Sequence, residues 1–284
     1  MISKTEVEGL LNGWTVISEF PNSGQKKVFL VEDNNSERKI VKIVKFGNER
    51  VKREVEIVTE NKIPSVPNVF EFDEFQATNG EKYNYIVEEF IDGMTLKQKL
   101  QNEKLNIREG VKLLETLLNI SVVLEEIKIV HRDIKPDNII CSNDGEFYLI
   151  DFGIARQLDK LSLTFTQAAV GPHTPGYGAP ELFQYSKKDI DIRSDLFSVG
   201  VVLFEALTGQ HPFITGEEMD LNEVWYRTRT VMPKDYLIEG DKSKQLLSFI
   251  QTLMQKHVTR RPPDARKALE WFLTLIPTLE LGEE

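Results

Sequence analysis

The densest group of side chains that could do chemistry lies at residues 131–138, which read HRDIKPDN. Asp133 is followed two places later by Lys135 and five places later by Asn138. A loop with an acid, an amine and an amide at this spacing can align a hydroxyl, neutralise a phosphoryl group and hold a divalent cation. The alternative is an ordinary polar turn that joins a helix to a strand. The octet alone leaves both interpretations open.

A second polar group begins at Asp151, thirteen places after Asn138. Asp151 follows the apolar run FYLI and precedes a Phe-Gly pair. A carboxylate at the end of a strand, followed closely by glycine, suits a metal ligand on a sharply turning loop. The segment that Asp151 opens is closed by residues 174–181, TPGYGAPE. A tripeptide such as DFG is common by chance, but chance is a poor explanation of all three motifs in this order and spacing.

The helices and strands that the sequence predicts around these motifs fall into two parts. The capping box SKTE at residues 3–6 predicts a short N-terminal helix. Alternating apolar residues then predict five strands, with one charged helix at 47–61 among them. After Gly93 helical spacing dominates, with the main predicted helices at 106–127, 194–208, 242–256 and 263–274. We therefore predict a small, mostly β part followed by a larger, mostly α part.

In this order HRDIKPDN, DFG and TPGYGAPE resemble the catalytic loop, the metal-binding triplet and the end of the activation segment of the protein kinase family. The resemblance extends from about Trp14 to Phe272. It implies an α+β, bilobal protein-kinase-like fold. The expected divisions are an N-terminal helix at 1–13, a mostly β N-lobe at 14–91 and a mostly α C-lobe at 92–284, with the kinase domain itself at 14–275. A nucleotide is expected in the cleft between the lobes.

The resemblance implies roles for the polar residues of the C-lobe. Asp133 would orient the substrate hydroxyl and accept its proton, and Lys135 would stabilise charge on the γ-phosphoryl group of ATP. Asn138 and Asp151 would hold Mg²⁺. Lysine at position 135, together with a threonine before Pro175, resembles the serine/threonine class more than the tyrosine class.

Five further residues match structural or regulatory positions of the family. Asp195 would hydrogen-bond the backbone of the catalytic loop, and Thr174 would hydrogen-bond near the catalytic aspartate. Arg261 would pair with Glu181. Arg132 would meet a phosphate on the activation segment. The candidate acceptors of that phosphate are Ser162, Thr164 and Thr166, although a flexible, hydroxyl-rich loop without phosphate is an equally good interpretation.

The N-lobe must supply a lysine on its third strand to reach the α- and β-phosphates. Lys39, Lys42 and Lys45 compete, and the family pattern favours Lys42. Strand alternation places Ile40, above the expected adenine site, on the same face as Lys42. The expected carboxylate partner is Glu54 on the following helix, although the gap of twelve residues is short for the family.

The segment YIVEEFIDG resembles the hinge of the family. Backbone groups of Glu89 and Ile91 would meet the adenine edge, and Asp92 would reach the ribose. Ile140 is a further predicted nucleotide contact. In this alignment Glu88 takes the gatekeeper position, where a carboxylate needs a hydrogen-bond donor or a raised pKa. An altered pocket and an alignment that is wrong by one residue are both open interpretations.

The segment PNSGQKKV stands where the family has a glycine-rich phosphate loop, yet it holds one glycine. The family's glycine positions fall on Pro21, Ser23 and Lys26, with Gly24 one place off. Ser23 and Gly24 can still present backbone N–H groups, Lys26 adds a positive charge, and Val28 follows as a nucleotide contact. We predict a weakened but working phosphate loop; the alternative is a hairpin with no ligand role.

Composition limits the other possibilities. A net charge of −10 gives no support for binding nucleic acid or an anionic membrane. The single cysteine, Cys141, fits a reducing compartment, and no apolar run approaches the roughly 18–20 residues that span a bilayer. With no secretory signal visible at the start, we expect a cytoplasmic protein. No oligomeric state is predicted.

The leading hypothesis is an ATP- and Mg²⁺-dependent serine/threonine kinase that phosphorylates protein hydroxyls, its own included. The main alternative is a pseudokinase that serves as a nucleotide-binding or scaffold module, suggested by Pro21, Lys26, Ile40 and Glu88. A kinase of small molecules is a third possibility, which the sequence TPGYGAPE disfavours because that segment shapes a platform for protein substrates in the family.

Overall fold

The structure is a computed structural model that describes residues 2–23, 26–47, 49–152, 156–157, 174–183 and 190–282. Side chains are described at all of these positions except 21–23, 49–51, 53–54 and 156–157. The chain forms two compact units. Unit 1 comprises Met1–Lys62 and Val66–Asp92, and unit 2 comprises Ile63–Ser65 and Gly93–Glu284.

Unit 1 is built on a five-stranded antiparallel sheet with strand order β1-β2-β3-β5-β4. Its strands are β1 Trp14–Ser23, β2 Lys26–Asp33, β3 Arg38–Lys45, β4 Val69–Gln76 and β5 Lys82–Glu89. Helix α1, Lys4–Leu10, precedes the sheet, and helix α2, Glu49–Glu60, follows β3. Every element of this unit was expected from the apolar pattern, although each observed strand is longer than its apolar run.

The two faces of the sheet pack against different helices. On one face Phe29, Val41 and Ile43 form a buried core with Val7 of α1. On the other face Val44 and Ile86 pack with Val55 of α2. Because side chains alternate along a strand, the same alternation places Ile40, Lys42 and Val44 together on the second face.

Helix α1 is held to the sheet by polar contacts as well as by its apolar side. Ser3 caps the helix and forms the predicted capping box with Glu6. The carboxylate of Glu6 also accepts hydrogen bonds from the N–H and hydroxyl of Thr78, each at 2.8 Å. The hydrogen bonds from Ser3 and Thr78 lower the pKa of Glu6 to about 2. The carboxylate of Glu8 accepts from the N–H of Val16 at 3.0 Å.

Unit 2 is mostly helical. Its helices are α3 Leu96–Leu100, α4 Ile107–Glu126, α5 Ile192–Thr208, α6 Leu221–Thr230, α7 Gln245–Leu253 and α8 Ala265–Leu275. Short strands complete it: β6 Gly93–Thr95, β8 Ile139–Ser142 and β9 Phe147–Leu149 form one sheet, and β7 Ile129–Val130 pairs with β10 Arg156–Gln157. Among the described residues, no helix is both long enough and apolar enough to cross a membrane.

Helix α5 is the centre of unit 2, since nearly all of its side chains are buried. Helices α4, α7 and α8 surround it. Gly200 permits the contact with α7, because a Cβ atom at this position would lie 2.9 Å from the Cβ of Leu253 and from the Cγ of Met254. Gly209 ends α5 in the left-handed conformation with a φ of 71°.

One helix of unit 2, α6, was not predicted from the sequence. Its N-cap is Asp220, whose side chain accepts a hydrogen bond from the N–H of Glu223 at 3.0 Å. The sequence DLNE, in which an acid stands three places before a glutamate, could therefore have indicated the start of this helix. Only Val224 and Thr228 of this helix are buried, so its apolar stripe is too thin to predict a helix by periodicity alone.

Candidate active site

The predicted catalytic loop of unit 2, residues 131–138, is anchored by the first turn of α5. Both carboxylate oxygens of Asp195 accept backbone hydrogen bonds, from the N–H of His131 at 2.7 Å and from the N–H of Arg132 at 2.9 Å. This is the contact expected from the sequence. Complete burial raises the pKa of Asp195 to about 7, against the opposing effect of these hydrogen bonds. Arg132 adopts a left-handed φ of 71°, which a non-glycine residue keeps only where its surroundings fix it.

Asp133 lies at the centre of a closed hydrogen-bond network. The ammonium of Lys135 donates to Oδ2 at 2.8 Å, and the hydroxyl of Thr174 donates to Oδ1 at 2.7 Å. Lys135 also donates to the Thr174 hydroxyl at 2.8 Å, which closes the triangle. The amide of Asn138 donates to the Asp133 carbonyl at 2.9 Å and to Oδ2 at 3.0 Å. The carboxylate is thereby held in one orientation while it remains partly accessible.

The local fold also brings the segment after β9 against the predicted catalytic loop. The N–H of Ile150 donates to the carbonyl of Asn138 at 2.9 Å. The ring of Phe152 meets the ring of His131 edge-on, with centroids 4.6 Å apart. Burial lowers the pKa of His131 to about 4, so its imidazole is neutral at physiological pH. Asp151 has a left-handed φ of 66°, consistent with a tightly constrained turn.

Asn138 and Asp151 suit a hard divalent cation. Both amide hydrogens of Asn138 are committed to Asp133, which leaves its amide oxygen as the available acceptor. An amide oxygen and a carboxylate are the ligands that Mg²⁺ prefers, and Mg²⁺ commonly takes only one or two protein ligands alongside substrate phosphates and water. Among the described residues, no group of three or more His, Cys, Asp and Glu side chains could hold a metal by itself.

A buried ion pair fixes the end of the predicted activation segment. Two nitrogens of the Arg261 guanidinium donate to the two carboxylate oxygens of Glu181, at 2.6 and 2.9 Å. The hydroxyl of Ser194, on α5, donates to the same carboxylate at 2.7 Å. The predicted pair is present, and the contact with Ser194 ties it to the central helix.

One further contact in this segment was not predicted. The hydroxyl of Tyr177 donates to the carboxylate of Glu205 at 2.6 Å, and burial raises the pKa of Glu205. The sequence gives no local signal for it, because the partners are 28 residues apart.

In unit 1 the three candidate lysines have different environments. Lys42 is buried, with a relative exposure of 8%. The ammonium of Lys39 lies 4.5 Å from the ring centroid of Trp14 and 3.1 Å from the carboxylate of Glu37, and Lys45 is exposed. Of these three lysines, Lys42 alone shares the second face of the sheet with Ile40. The family pattern and the burial therefore favour the same lysine.

Glu88, which the sequence predicts at the gatekeeper position, has a hydrogen-bond donor for its carboxylate. The ammonium of Lys42 lies 2.7 Å from the carboxylate of Glu88, and each side chain is 10% exposed. The sequence raised the need for such a donor without identifying it. The side chain of Glu54, the expected partner of Lys42, lies outside the described residues, so that pairing stays a prediction.

The remaining predicted nucleotide contacts lie in both units, on strands and in the segment that follows β5. Ser23 pairs with Lys26 across the β1–β2 hairpin, and Val28 lies opposite Lys42. The N–H of Glu89 donates to the carbonyl of Asn68 at 2.9 Å. Ile91 is half-buried and Asp92 is exposed, and Ile140 of unit 2 is half-buried on β8. Gly24, Ser162, Thr164 and Thr166 lie outside the described residues.

The sequence of the chain matches a known family over most of its length. The family model described as "Protein kinase domain" matches residues 24–272. The chain therefore belongs to the protein kinase family, and its resemblance is to the bacterial members of the eukaryotic type.

Three curated relatives show the range of similarity. The chain is 34% identical over 210 residues to the probable serine/threonine-protein kinase PknB of Lactococcus lactis, an alignment of 70% of this chain and 32% of the relative. It is 31% identical over 209 residues to the serine/threonine-protein kinase PrkC of Bacillus subtilis, covering 70% and 31%. It is 37% identical over 173 residues to the probable serine/threonine-protein kinase PknB of Bifidobacterium longum, covering 59% and 25%. The alignments thus cover a quarter to a third of these relatives.

Proposed function

We propose that this chain is an active serine/threonine protein kinase that transfers the γ-phosphoryl group of Mg-ATP to a protein hydroxyl, including hydroxyls of its own. The observation that carries the proposal is the network on Asp133. A carboxylate fixed by Lys135, Thr174 and Asn138, yet still partly accessible, has the features of a base that must meet a substrate hydroxyl.

The chemistry assigned to unit 2 follows from the functional groups present. Asp133 would orient the acceptor hydroxyl and take its proton as the oxygen attacks phosphorus. Lys135, already within hydrogen-bond distance of Asp133, would stabilise negative charge on the transferred group. Asn138 and Asp151 would hold Mg²⁺ through oxygen atoms. When bound, the cation neutralises phosphate charge.

The contacts assigned to unit 1 are those of nucleotide binding. Lys42 would bind the α- and β-phosphates. Because the N–H of Glu89 is already engaged by Asn68, any adenine contact of Glu89 would use its carbonyl oxygen. The amide of Ile91 and the carboxylate of Asp92 would contact the adenine and the ribose. The glycine-poor loop at 21–28 would give a weaker grip on the phosphates than a glycine-rich one.

A pseudokinase is the second candidate function. It is favoured by the proline and lysine that stand at two of the glycine positions and by the carboxylate at the gatekeeper position. The complete set of Lys42, Asp133, Asn138 and Asp151 argues against it, since each of these groups has a part in the chemistry. A cytoplasmic location and the absence of a nucleic-acid partner stay predictions from composition.

The first test is the rate of phosphate transfer from Mg-ATP to a generic protein acceptor such as casein. We expect Asp133→Asn to lower kcat by at least about 100-fold, because it removes the proton acceptor but keeps the size of the side chain. The matched control is Asp144→Asn, which makes the same chemical change in the exposed turn between β8 and β9 and should leave the rate unchanged. Equal rates for wild type and Asp133→Asn would reject the proposed function.

A further inference from the structure

The pair formed by Lys42 and Glu88 is set by the register of two neighbouring strands. Glu88 of β5 lies opposite Ile40 of β3, and Lys42 lies opposite Ile86. The two charged residues are therefore diagonal neighbours on one face of the sheet, a spacing that long side chains can bridge. The distance of 2.7 Å between Nζ and Oε2 is that of a charge-assisted hydrogen bond.

This pair differs from the surface pairs of the same sheet in its burial. Lys42 and Glu88 are each 10% exposed, whereas the diagonal pair Lys82–Glu74, on β5 and β4, is about half exposed and 3.6 Å long. The face that carries Lys42 also carries Val44 and Ile86, which are almost completely buried. In such low-dielectric surroundings, the interaction between two opposite charges is strong, and an unpaired charge is costly.

A carboxylate on β5 also differs from a carboxylate on a helix in how firmly its distance from Lys42 is fixed. β3 and β5 are joined by a continuous antiparallel ladder from Lys39–Glu89 to Lys45–Tyr83. A carboxylate on that ladder keeps its distance from Lys42 as long as the sheet is intact. A carboxylate on α2 would reach Lys42 only in those positions of the helix that bring it close to the sheet.

We propose that Glu88 is a positioning residue for Lys42, so that the ammonium is fixed by the sheet and its use in nucleotide binding depends on the gatekeeper carboxylate. This inference rests on the proposed function, in which Lys42 binds the phosphates of ATP. It gives the unusual gatekeeper a defined role. From its position on β5, the carboxylate of Glu88 supplies a counter-charge to a buried lysine.

The test compares wild type, Glu88→Gln and Glu74→Gln. The control variant makes the same chemical change in the exposed pair with Lys82. We expect Glu88→Gln to lower kcat/KM for ATP on the order of 10-fold, because a neutral amide holds the ammonium less firmly. Glu74→Gln should match wild type. An unchanged kcat/KM in Glu88→Gln would overturn the inference.

A second readout follows Lys42 without reference to catalysis. Each protein is treated briefly with acetic anhydride at fixed pH, and acetylation of Lys42 is measured by mass spectrometry relative to the exposed Lys4. Loss of the carboxylate destabilises the charged ammonium, so a larger fraction of Lys42 is the reactive neutral amine in Glu88→Gln. We expect acetylation about threefold faster or more than in wild type. An equal rate in Glu88→Gln and wild type would also overturn the inference.

The two readouts separate this inference from the proposed function. Faster acetylation in Glu88→Gln, with a wild-type protein that transfers no phosphate, would support the positioning of Lys42 and reject the kinase activity. An active wild type with both readouts unchanged would reject the inference alone. If Glu88→Gln does not fold, Glu88→Asp replaces it. The shortened carboxylate should then give a reduced kcat/KM, and a value equal to wild type would overturn the inference.

Discussion

Lys42 and Glu88 show that a charged side chain can be buried when an opposite charge is buried beside it. Each is costly to bury alone, and together they satisfy each other across two strands. The same principle applies to Glu181 and Arg261 in unit 2, whose guanidinium is completely buried. Removing one partner of either pair takes a counter-charge away from the other, buried partner. Removing both partners avoids that cost.

Substitutions of Lys42 and Glu88 should therefore have non-additive effects on the free energy of unfolding. We expect Lys42→Met to lower the free energy of unfolding by about 3–5 kcal/mol, because the buried carboxylate of Glu88 then loses the ammonium that lies 2.7 Å from it. Glu88→Met should also be destabilising, because Lys42 loses that carboxylate. The double variant should be clearly more stable than either single variant. Urea unfolding of the four proteins measures the cycle. A double variant that loses the sum of the two single losses would contradict a direct interaction.

Most of the residues assigned to the site in unit 2 could be identified from the sequence, because they lie in three short motifs. HRDIKPDN places Asp133, Lys135 and Asn138 within six residues, so local spacing alone brings them together. The partner of Lys42 could not be assigned in this way. The contact with Glu88 depends on the β3–β5 register, which pairs residues almost fifty positions apart in the sequence. It also depends on whether the two side chains are long enough to meet as diagonal neighbours.

At the scale of elements, helix α1 illustrates how a short helix acquires stability from tertiary contacts. Seven residues are too few to be helical in isolation. Val7 packs into the core of the sheet. One carboxylate oxygen of Glu6 accepts a hydrogen bond from Ser3, and the other accepts from Thr78. The capping box was visible in the sequence. The contact with Thr78 was not, because the two residues are 72 positions apart.

The contribution of Glu6 to stability should depend on pH. Its pKa is lowered from 4.5 to about 2 by hydrogen bonds to Ser3 and Thr78, so the ionised form is favoured in the folded state. The stabilisation is then fully present above about pH 4.5 and is lost as the pH falls through about 2.

We expect Glu6→Gln to have a lower Tm than wild type at pH 7, and the difference should shrink as the pH falls below 4.5. Glu60→Gln, an exposed position at the end of α2, is the control and should show no such difference. A Tm difference for Glu6→Gln that is constant between pH 7 and pH 3 would contradict this assignment.

At the scale of the whole molecule, each unit contains its own core and its own part of the proposed machinery. Unit 1 carries a sheet covered on both faces and the buried pair at Lys42. Unit 2 carries the network on Asp133, supported by the central helix α5. The division into a β-rich and an α-rich part could be predicted, because strand and helix periodicities occupy separate stretches of the chain. Helix α6 was not predicted, because too few of its residues are buried to give a helical apolar pattern.

Phosphoamino-acid analysis after incubation with Mg-ATP and a generic protein acceptor tests the proposed kinase activity most directly. An active serine/threonine kinase should give phosphoserine or phosphothreonine, on the acceptor or on the chain itself, that disappears when Mg²⁺ is removed with EDTA. Nucleotide binding without any phosphoamino acid would indicate a pseudokinase and would reject the proposed activity, and phosphotyrosine alone would reject the serine/threonine class.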